Sequence, residues 1–350
     1  MSTCAATEAS HFILATTFTR LTELVLIVTI VLIIYCFGGH MRFLILGAGA
    51  LGGYFGGMLV KGGADVTFLV RPARHAQLQR DGLVVKTQDG DEVRTRVVCA
   101  QKGDLKGTYD VILPCCKAYD LESAMEAIAP AVGEQSVILP LLNGIRHVDV
   151  LSERFGAARV LGGLTVINAA LLSDGTIQQS QVRVNLTAIG ELDGQESSRC
   201  ASIKGALEAG GIAVQVSDKI TTLMWEKFYG FACSAVIASL SRSRAGVVAR
   251  SAGGAAFVSG AVAECASVVT ALGHPPLPAF NAGAQISGLF SQKDSTYGPS
   301  ILIDMEDGRP TEGEHTVGDL AERATSAGIS APLLTAARCA LQAYEINRPK

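Results

Sequence analysis

The residues of this chain best suited to chemistry begin at a glycine turn. Between Met41 and Arg71 the sequence reads MRFLILGAGALGGYFGGMLVKGGADVTFLVR. An apolar run, Phe43 to Leu46, leads into Gly47-x-Gly49-x-x-Gly52; a small-residue helical segment follows, and a second apolar run, Val66 to Val70, ends at Arg71. Gly47 permits the turn out of the strand, Gly49 lets backbone N–H groups approach a pyrophosphate, and Gly52 lets the helix pack on the sheet. The first helical amides, of Ala50, Leu51 and Gly52, lack intrahelical partners and face the phosphates with the positive end of the helix dipole. Such glycine turns also occur as plain loops, but here both flanking strands stand at the spacing a dinucleotide site needs. An acidic residue at the end of the second strand would bind the ribose hydroxyl of NAD. Arg71, with Arg74 nearby, instead offers guanidinium forks suited to a 2′-phosphate, which favours NADPH. A solvated arginine at a strand end is the plain alternative.

Further along, residues just beyond strand ends are the next candidates, because open α/β sheets hold ligands there. Lys117 follows the run ending Leu113-Pro114, and Asn143 follows the run ending at Pro140. Each could also be an ordinary polar loop residue. Lys227, in Trp225-Glu226-Lys227-Phe228, lies amid apolar side chains of a long helical segment. A lysine held against an apolar wall has a depressed pKa and can donate a proton near neutrality; a lysine laid along a solvated face cannot. From Pro299 to Glu312, carboxylates (Asp304, Glu306, Asp307, Glu312) cluster beside Ser300, a pattern common at solvated helix ends.

These groups need elements to position them. After Arg71, Gly82 to Lys86 and Val93 to Val98 read as a hairpin turned at Asp89-Gly90. Tyr109 to Pro114 and Ser136 to Pro140 read as buried strands with a helix, Leu121 to Ala131, between them. Further strands are expected at Val160 to Val166, Val182 to Gly190 and Ile212 to Val216, with a helix at Ser197 to Gly210. Alternating strand and helix implies a parallel sheet. Past Ser217-Asp218, either of which could cap a helix, periodicity turns helical: Ile220 to Leu240, Gly246 to Leu272, Ala279 to Phe290, a helix after Gly313, and Pro332 to Tyr344.

Composition sets outer limits. With 350 residues, 49% of them hydrophobic, the chain can bury two cores. A net charge of −3 leaves no electrostatic footprint for nucleic acid. Nine cysteines without metal-type spacing, Cys115 and Cys116 adjacent, suit neither a disulfide framework nor a metal site and fit a reducing cytoplasm. Residues 1–40 form an apolar leader whose run, Leu24 to Phe37, is shorter than the roughly 20 residues of a spanning helix. Tyr35-Cys36-Phe37 is no small-residue cleavage site either. The expectation is a functional protein starting at Met41, the leader being read-through sequence; a short membrane tether is the other reading.

Taken together, Gly47-x-Gly49-x-x-Gly52, Arg71, Lys117-Ala-Tyr-Asp, Asn143-Gly144, Trp225-x-Lys227 and Ser300-x3-Asp304-x7-Glu312 resemble the ketopantoate reductase family, in order and approximate spacing, from Met41 almost to the C-terminus. The resemblance implies an α/β fold: an N-terminal Rossmann-type doubly wound sheet, residues 41–217, binding NADPH, then a mostly α-helical C-terminal domain, residues 218–350. It implies reduction of a 2-keto acid, ketopantoate to pantoate in pantothenate and coenzyme A biosynthesis, by a cytoplasmic monomer or homodimer without metal or membrane. Lys227 would be the general acid, with Glu312 orienting it and binding substrate. Asn143, Ser300 and Lys117 would hold substrate, and Lys117, Asn143 and Glu312 would also touch cofactor. One departure bears on substrate. Where family members commonly carry two substrate-binding asparagines, this chain has Phe231 and Ala235, with Ser234 a partial substitute. A relative acting on a more apolar keto acid or an imine is therefore a second reading, and a non-catalytic NADP-binding sensor a third.

Overall fold

Strand β1 (Arg42–Leu46) is apolar throughout its length after Arg42, and its Phe43, Leu44 and Ile45 are fully buried, as a strand covered on both faces requires. The computed structural model describes residues 41–181 and 185–348. The leader at residues 1–40 lies outside them. From β1 the chain runs through α1 (Ala50–Lys61), β2 (Asp65–Leu69), α2 (Pro72–Asp81), β3 (Leu83–Lys86), β4 (Glu92–Thr95), β5 (Val98–Ala100), β6 (Tyr109–Pro114), α3 (Leu121–Ile128) and β7 (Val132–Ile138). It continues through α4 (Arg146–Phe155), β8 (Leu161–Val166), β9 (Asn168–Leu171), β10 (Ile177–Ser180), β11 (Leu186–Glu191), α5 (Ser198–Ala209) and β12 (Val214–Val216).

The central sheet is parallel, in the order β5-β2-β1-β6-β7, with Phe43 opposite Val66 on one side and Val111 on the other. Chain order reverses between β1 and β6, so the crevice beyond their carboxyl ends is the switch point where such sheets bind ligands. A second sheet, β4-β3-β10-β9, covers the other face of α1. Helix α1 is thereby packed on two sides, and its glycine pairs have that cause. A Cβ on Gly56 would come within 2.3 Å of Phe68 in the central sheet, while one on Gly53 or Gly57 would come within 2.7 Å of Ile177 or Val85 in the second.

The second sheet revises the sequence reading. The hairpin at Asp89-Gly90 forms, but it pairs with β10 outside the parallel sheet, and its second strand ends at Thr95. Val98 opens β5, which joins the parallel sheet beside β2. Strands β9 and β10 were not anticipated. Gln178-Gln179-Ser180 carries little β signal, and the pairing of Ile177 with Val85 joins residues far apart in sequence. A third sheet, β12-β11-β8, abuts the helical half. There Gly162 and Gly190 make room for Ile220, since a Cβ on either would come within 2.9 Å of it. The expected strand start at Val182 falls on residues 182–184, outside the described residues.

Beyond β12 the chain is helical: α6 (Ile220–Ser241), α7 (Ala245–Arg250), α8 (Gly254–Ala271), α9 (Ala282–Leu289), α10 (Ser300–Glu306), a π-helical turn at Glu314–Gly318, α11 (Asp319–Ser326) and α12 (Pro332–Asn347). Ser217 Oγ accepts the Lys219 amide at 3.1 Å just before α6. The helix expected across Gly246 to Leu272 is broken at Ser251, where the chain doubles back so closely that a Cβ on Gly254 would meet the Val248 carbonyl. Helix α8 is long and apolar enough to cross a membrane by length and composition, and it packs on α6 in the helical core. The carboxylate run that suggests a solvated helix end forms α10, and Asp304 on it is 6% exposed.

Buried along nearly its whole length, α6 is the core helix of this half. Glu226 on it is 4% exposed, and its carboxylate accepts the Leu277 amide at 2.7 Å and the Ala282 amide, at the start of α9, at 2.6 Å. Two charge-assisted bonds and a helix N-terminus depend on one side chain. Glu226→Ala is expected to lower stability by about 2–4 kcal/mol in urea unfolding, with Glu226→Gln recovering part of it. A change within about 0.5 kcal/mol, the range of an ordinary surface substitution, would show that these bonds carry no net stability.

Candidate active site

At the switch point the glycine turn has the geometry its sequence suggests. Gly47 adopts φ +89° and its amide donates to Leu69 O at 2.9 Å, closing β1 against β2. Gly49 is the N-cap of α1 and offers no side-chain cap, so the leading amides of Ala50, Leu51 and Gly52 remain for a ligand. A Cβ on Gly49 would meet nothing within 4 Å, whereas one on Gly52 would come within 2.0 Å of Gly47 O and 3.0 Å of Cys115 Cβ. Gly49 therefore keeps an approach open while Gly52 keeps the turn closed on the sheet. A dinucleotide pyrophosphate fits this cradle.

The arginines beyond β2 differ from each other. Arg71 is 79% exposed, with Nη2 3.0 Å from Asp120 Oδ1, and can turn to a phosphate at the cost of a solvated ion pair. Arg74, expected to be a second fork, is engaged elsewhere through two of its nitrogens, while its buried Nη2 has no hydrogen-bond partner among the described residues. Its Nε donates to Ala48 O at 3.0 Å and its Nη1 to Gly175 O at 3.2 Å and to the Gln77 side chain. It braces the glycine turn against α2 and the β9–β10 turn.

Beside the turn a second set of groups converges. The Cys115 amide donates to Leu46 O at 3.1 Å, just before the turn, and the chain beyond it carries Lys117 and Ala118. The Ala118 amide donates to Glu312 Oε1 at 2.9 Å, and Lys117 Nζ lies 3.5 Å from Glu312 Oε2 and 3.2 Å from Asp304 Oδ2. Arg309 Nε donates to Asp304 Oδ1 at 2.9 Å. Asn143 Nδ2 donates to Glu312 Oε2 at 3.5 Å, and Lys227 Nζ donates to Asn143 Oδ1 at 3.2 Å. Gly144, at φ +81°, lets the Asn143 turn lie against the π-helical turn after Glu312, because a Cβ there would stand 2.8 Å from His315 O. Contacts thus run unbroken from the Gly47 turn to the amine of Lys227.

The two lysines are driven in opposite directions. Burial works to lower the Lys117 pKa, but Glu312 and Asp304 outweigh it and the ammonium is held above its ordinary value. For Lys227 burial dominates, Glu312 opposing only in part, and the pKa falls to about 8. One amine keeps its charge while the other can part with a proton near neutrality. His147, on the first turn of α4, was not singled out from sequence. It is 3% exposed, and burial, with Lys227 adding to it, lowers its pKa to about 3, so it stays neutral around Lys227. A histidine one turn after Asn143-Gly144 was the available signal.

Four of the expected residues, Lys117, Asn143, Lys227 and Glu312, therefore share one cluster, Lys117 joined to Glu312 by an ion pair and the others by hydrogen bonds. Among the described residues no hydrogen bond joins Ser300 to it; Ser300 is exposed at the start of α10, one turn before Asp304. Lys227 and Asn143 open into a small cavity walled by Leu142, Leu164, Met224, Phe228 and Phe231. Ala235 is fully buried in the helical core rather than in that wall. Ser234 does not stand in for a lost amide, because its hydroxyl donates to Phe231 O at 2.8 Å and is 1% exposed.

Comparison with known proteins bears on the family and the fold. Residues 43–194 match the model described as Ketopantoate reductase PanE/ApbA, and residues 219–345 match its C-terminal counterpart. The uncharacterized oxidoreductase YkpB of Bacillus subtilis is 33% identical over 88% of this chain and all of its own length. A 2-dehydropantoate 2-reductase of Halobacterium salinarum is 29% identical over 84% of this chain and 95% of its own. Among solved structures, a ternary complex of D-mandelate dehydrogenase with NADH and anilino(oxo)acetate superposes with a TM-score of 0.75 at 22% identity, covering 87% of this chain and 99% of that one. The last of these speaks to the fold.

Proposed function

The chain belongs to the ketopantoate reductase family, and from that premise we propose that it reduces a 2-keto acid to the 2-hydroxy acid with NADPH. The observation that carries the reading is the Lys227 amine, its pKa lowered to about 8, hydrogen-bonded to Asn143, which Glu312 links in turn to the Ala118 amide on the chain leaving β6. The reduced nicotinamide, when bound, supplies the hydride. Lys227 donates a proton to the substrate's carbonyl oxygen and, while charged, stabilises the developing alkoxide. Asn143 holds that amine at its Oδ1 and is itself held by Glu312, which also ties down the Ala118 amide. Lys117 stays cationic and keeps substrate and cofactor in register, and Ser300 contacts the substrate. Positioning of this kind is most of what hydride transfer asks of a protein.

Ketopantoate, the substrate in the family's name, is the reference substrate of this reading, which would put the reaction in pantothenate biosynthesis. The alternative of a more apolar keto acid is supported by Phe231 in the cavity wall. NADPH rather than NADH rests on Arg71, the exposed guanidinium at the end of β2. The test is oxidation of NADPH and NADH, side by side, by the purified protein over a panel of 2-keto acids. Arg71→Ala is expected to raise KM for NADPH by about 10-fold or more, the size of one charge-assisted contact, and to leave NADH nearly unchanged. Equal loss with both cofactors would remove Arg71 as the discriminator, and no turnover with any keto acid would remove the reductase.

A further inference from the structure

Glu312 reaches the site from an irregular piece of backbone. The π-helical ladder starts one residue later, where the Gly318 amide donates to Gly313 O at 2.9 Å, so the Glu312 carbonyl lies just ahead of it. Such turns recur at functional sites because they re-aim a side chain. Thr316 serves that carbonyl: its hydroxyl donates to Glu312 O at 2.8 Å and leans on Gly313 O at 3.4 Å. The side chain is fully buried, and its methyl group lies against the Asn143-Gly144 turn, 3.5 Å from where a Cβ on Gly144 would stand. One small residue thereby touches the backbone of Glu312 and the turn that carries Asn143. Asn143 in turn links the Glu312 carboxylate to Lys227 Nζ. A buried carbonyl left without a donor is penalised, and a shift of this turn is the way to regain one.

We propose that Thr316 is a positioning residue of this site, whose hydroxyl fixes the Glu312 carboxylate against Asn143 and so sets how closely that carboxylate acts on the amine of Lys227. The inference rests on the reductase reading above and deepens it. Charge gives it a direction. Glu312 opposes the effect of burial on Lys227, so a carboxylate that drifts away leaves the amine with a still lower pKa. The other titratable groups within reach keep their charge around pH 8. His147 beside Lys227 is neutral above about 3, and Lys117 is held charged by Asp304 as well as by Glu312. Around Glu312, burial lowers His315 and raises Tyr119 and Cys116, the last to about 12.

The experiment measures the full chain, Thr316→Val and Thr316→Ser in two ways. One is kcat/KM against pH with NADPH and the best keto acid of the panel. The other is the titration of Lys227, followed by NMR of protein labelled with 13C at lysine Cε, its signal identified by its loss in Lys227→Arg. Valine keeps the shape and removes the hydroxyl, whereas serine keeps the hydroxyl. Thr316→Val is expected to lower kcat/KM by roughly 10-fold or more and to move both the pH limb and the Lys227 titration down by about half a unit or more. Thr316→Ser should stay within about 3-fold of the natural chain, with limb and titration in place. Thr316→Ala, which also lacks the hydroxyl, gives the same test if valine does not fold. If the variants without the hydroxyl lose stability in urea but keep the natural limb and titration, Thr316 is merely structural and the inference is overturned. It is overturned equally if Thr316→Ser behaves as Thr316→Val does. If no protein reduces any 2-keto acid while the Lys227 titration shifts as stated, the reductase reading falls and the positioning of Glu312 by Thr316 stands.

Discussion

Lys227→Ala is expected to lower kcat by roughly 10³–10⁴-fold while leaving the affinity for NADPH within about 3-fold, because the amine acts on the substrate's carbonyl rather than on the nucleotide. The loss combines a missing proton donor with a missing positive charge. Lys227→Arg should recover little, since a guanidinium keeps its proton throughout the accessible pH range. The same residue sets the pH profile. A general acid must be protonated to work, so kcat/KM should be full below the Lys227 pKa and decline as pH rises through about 8. The charged and titratable groups around it do not blur that limb. Lys117 is held charged to higher pH by Glu312 and Asp304, and His147 is neutral above about 3. Stopped-flow turnover with NADPH and the best keto acid of the panel would check both statements. A variant that retains kcat within 10-fold, or a profile flat from pH 6 to 10, would dismiss Lys227 as the acid.

Gly52→Ala is expected to weaken NADPH binding on the order of 100-fold, about 2.8 kcal/mol, and to lower thermal stability as well. An added Cβ would stand 2.0 Å from Gly47 O, which is backbone, so the turn itself must move and its amides lose their aim. Gly49→Ala supplies the contrast. Its Cβ meets no protein atom within 4 Å, so stability should hold while the methyl group occupies the approach to the pyrophosphate. Cofactor titration by nucleotide fluorescence together with thermal unfolding separates the two. If Gly49→Ala binds NADPH as well as the natural chain does, the phosphates do not lie over this turn.

Much of the frame was legible in residue order because its causes are local. An apolar run closed by Gly47-x-Gly49-x-x-Gly52 specifies strand, turn and helix through the backbone freedom of a few neighbouring residues. Lys117 and Asn143 were found by their place just after buried strands, and α6 by its unbroken apolar periodicity. Long-range pairing was not legible. Strands β9 and β10 are short, β10 is mostly polar, and their place over α1 depends on Ile177 meeting Gly53 and Val85, residues separated from it by much of the N-terminal half.

Residue order alone therefore determined the dinucleotide turn, the succession of sheet and helices, and the identity of the polar groups near the crevice, since turn chemistry and periodicity are properties of adjacent residues. Only the folded chain decided how those groups behave. It fixed Arg74 to the backbone, turned Ser234 back on Phe231, and set two lysines around one glutamate with opposite pKa shifts. Burial and charge–charge distance arise between residues that are neighbours in space alone, and those two quantities decide whether an amine keeps its proton or gives it up.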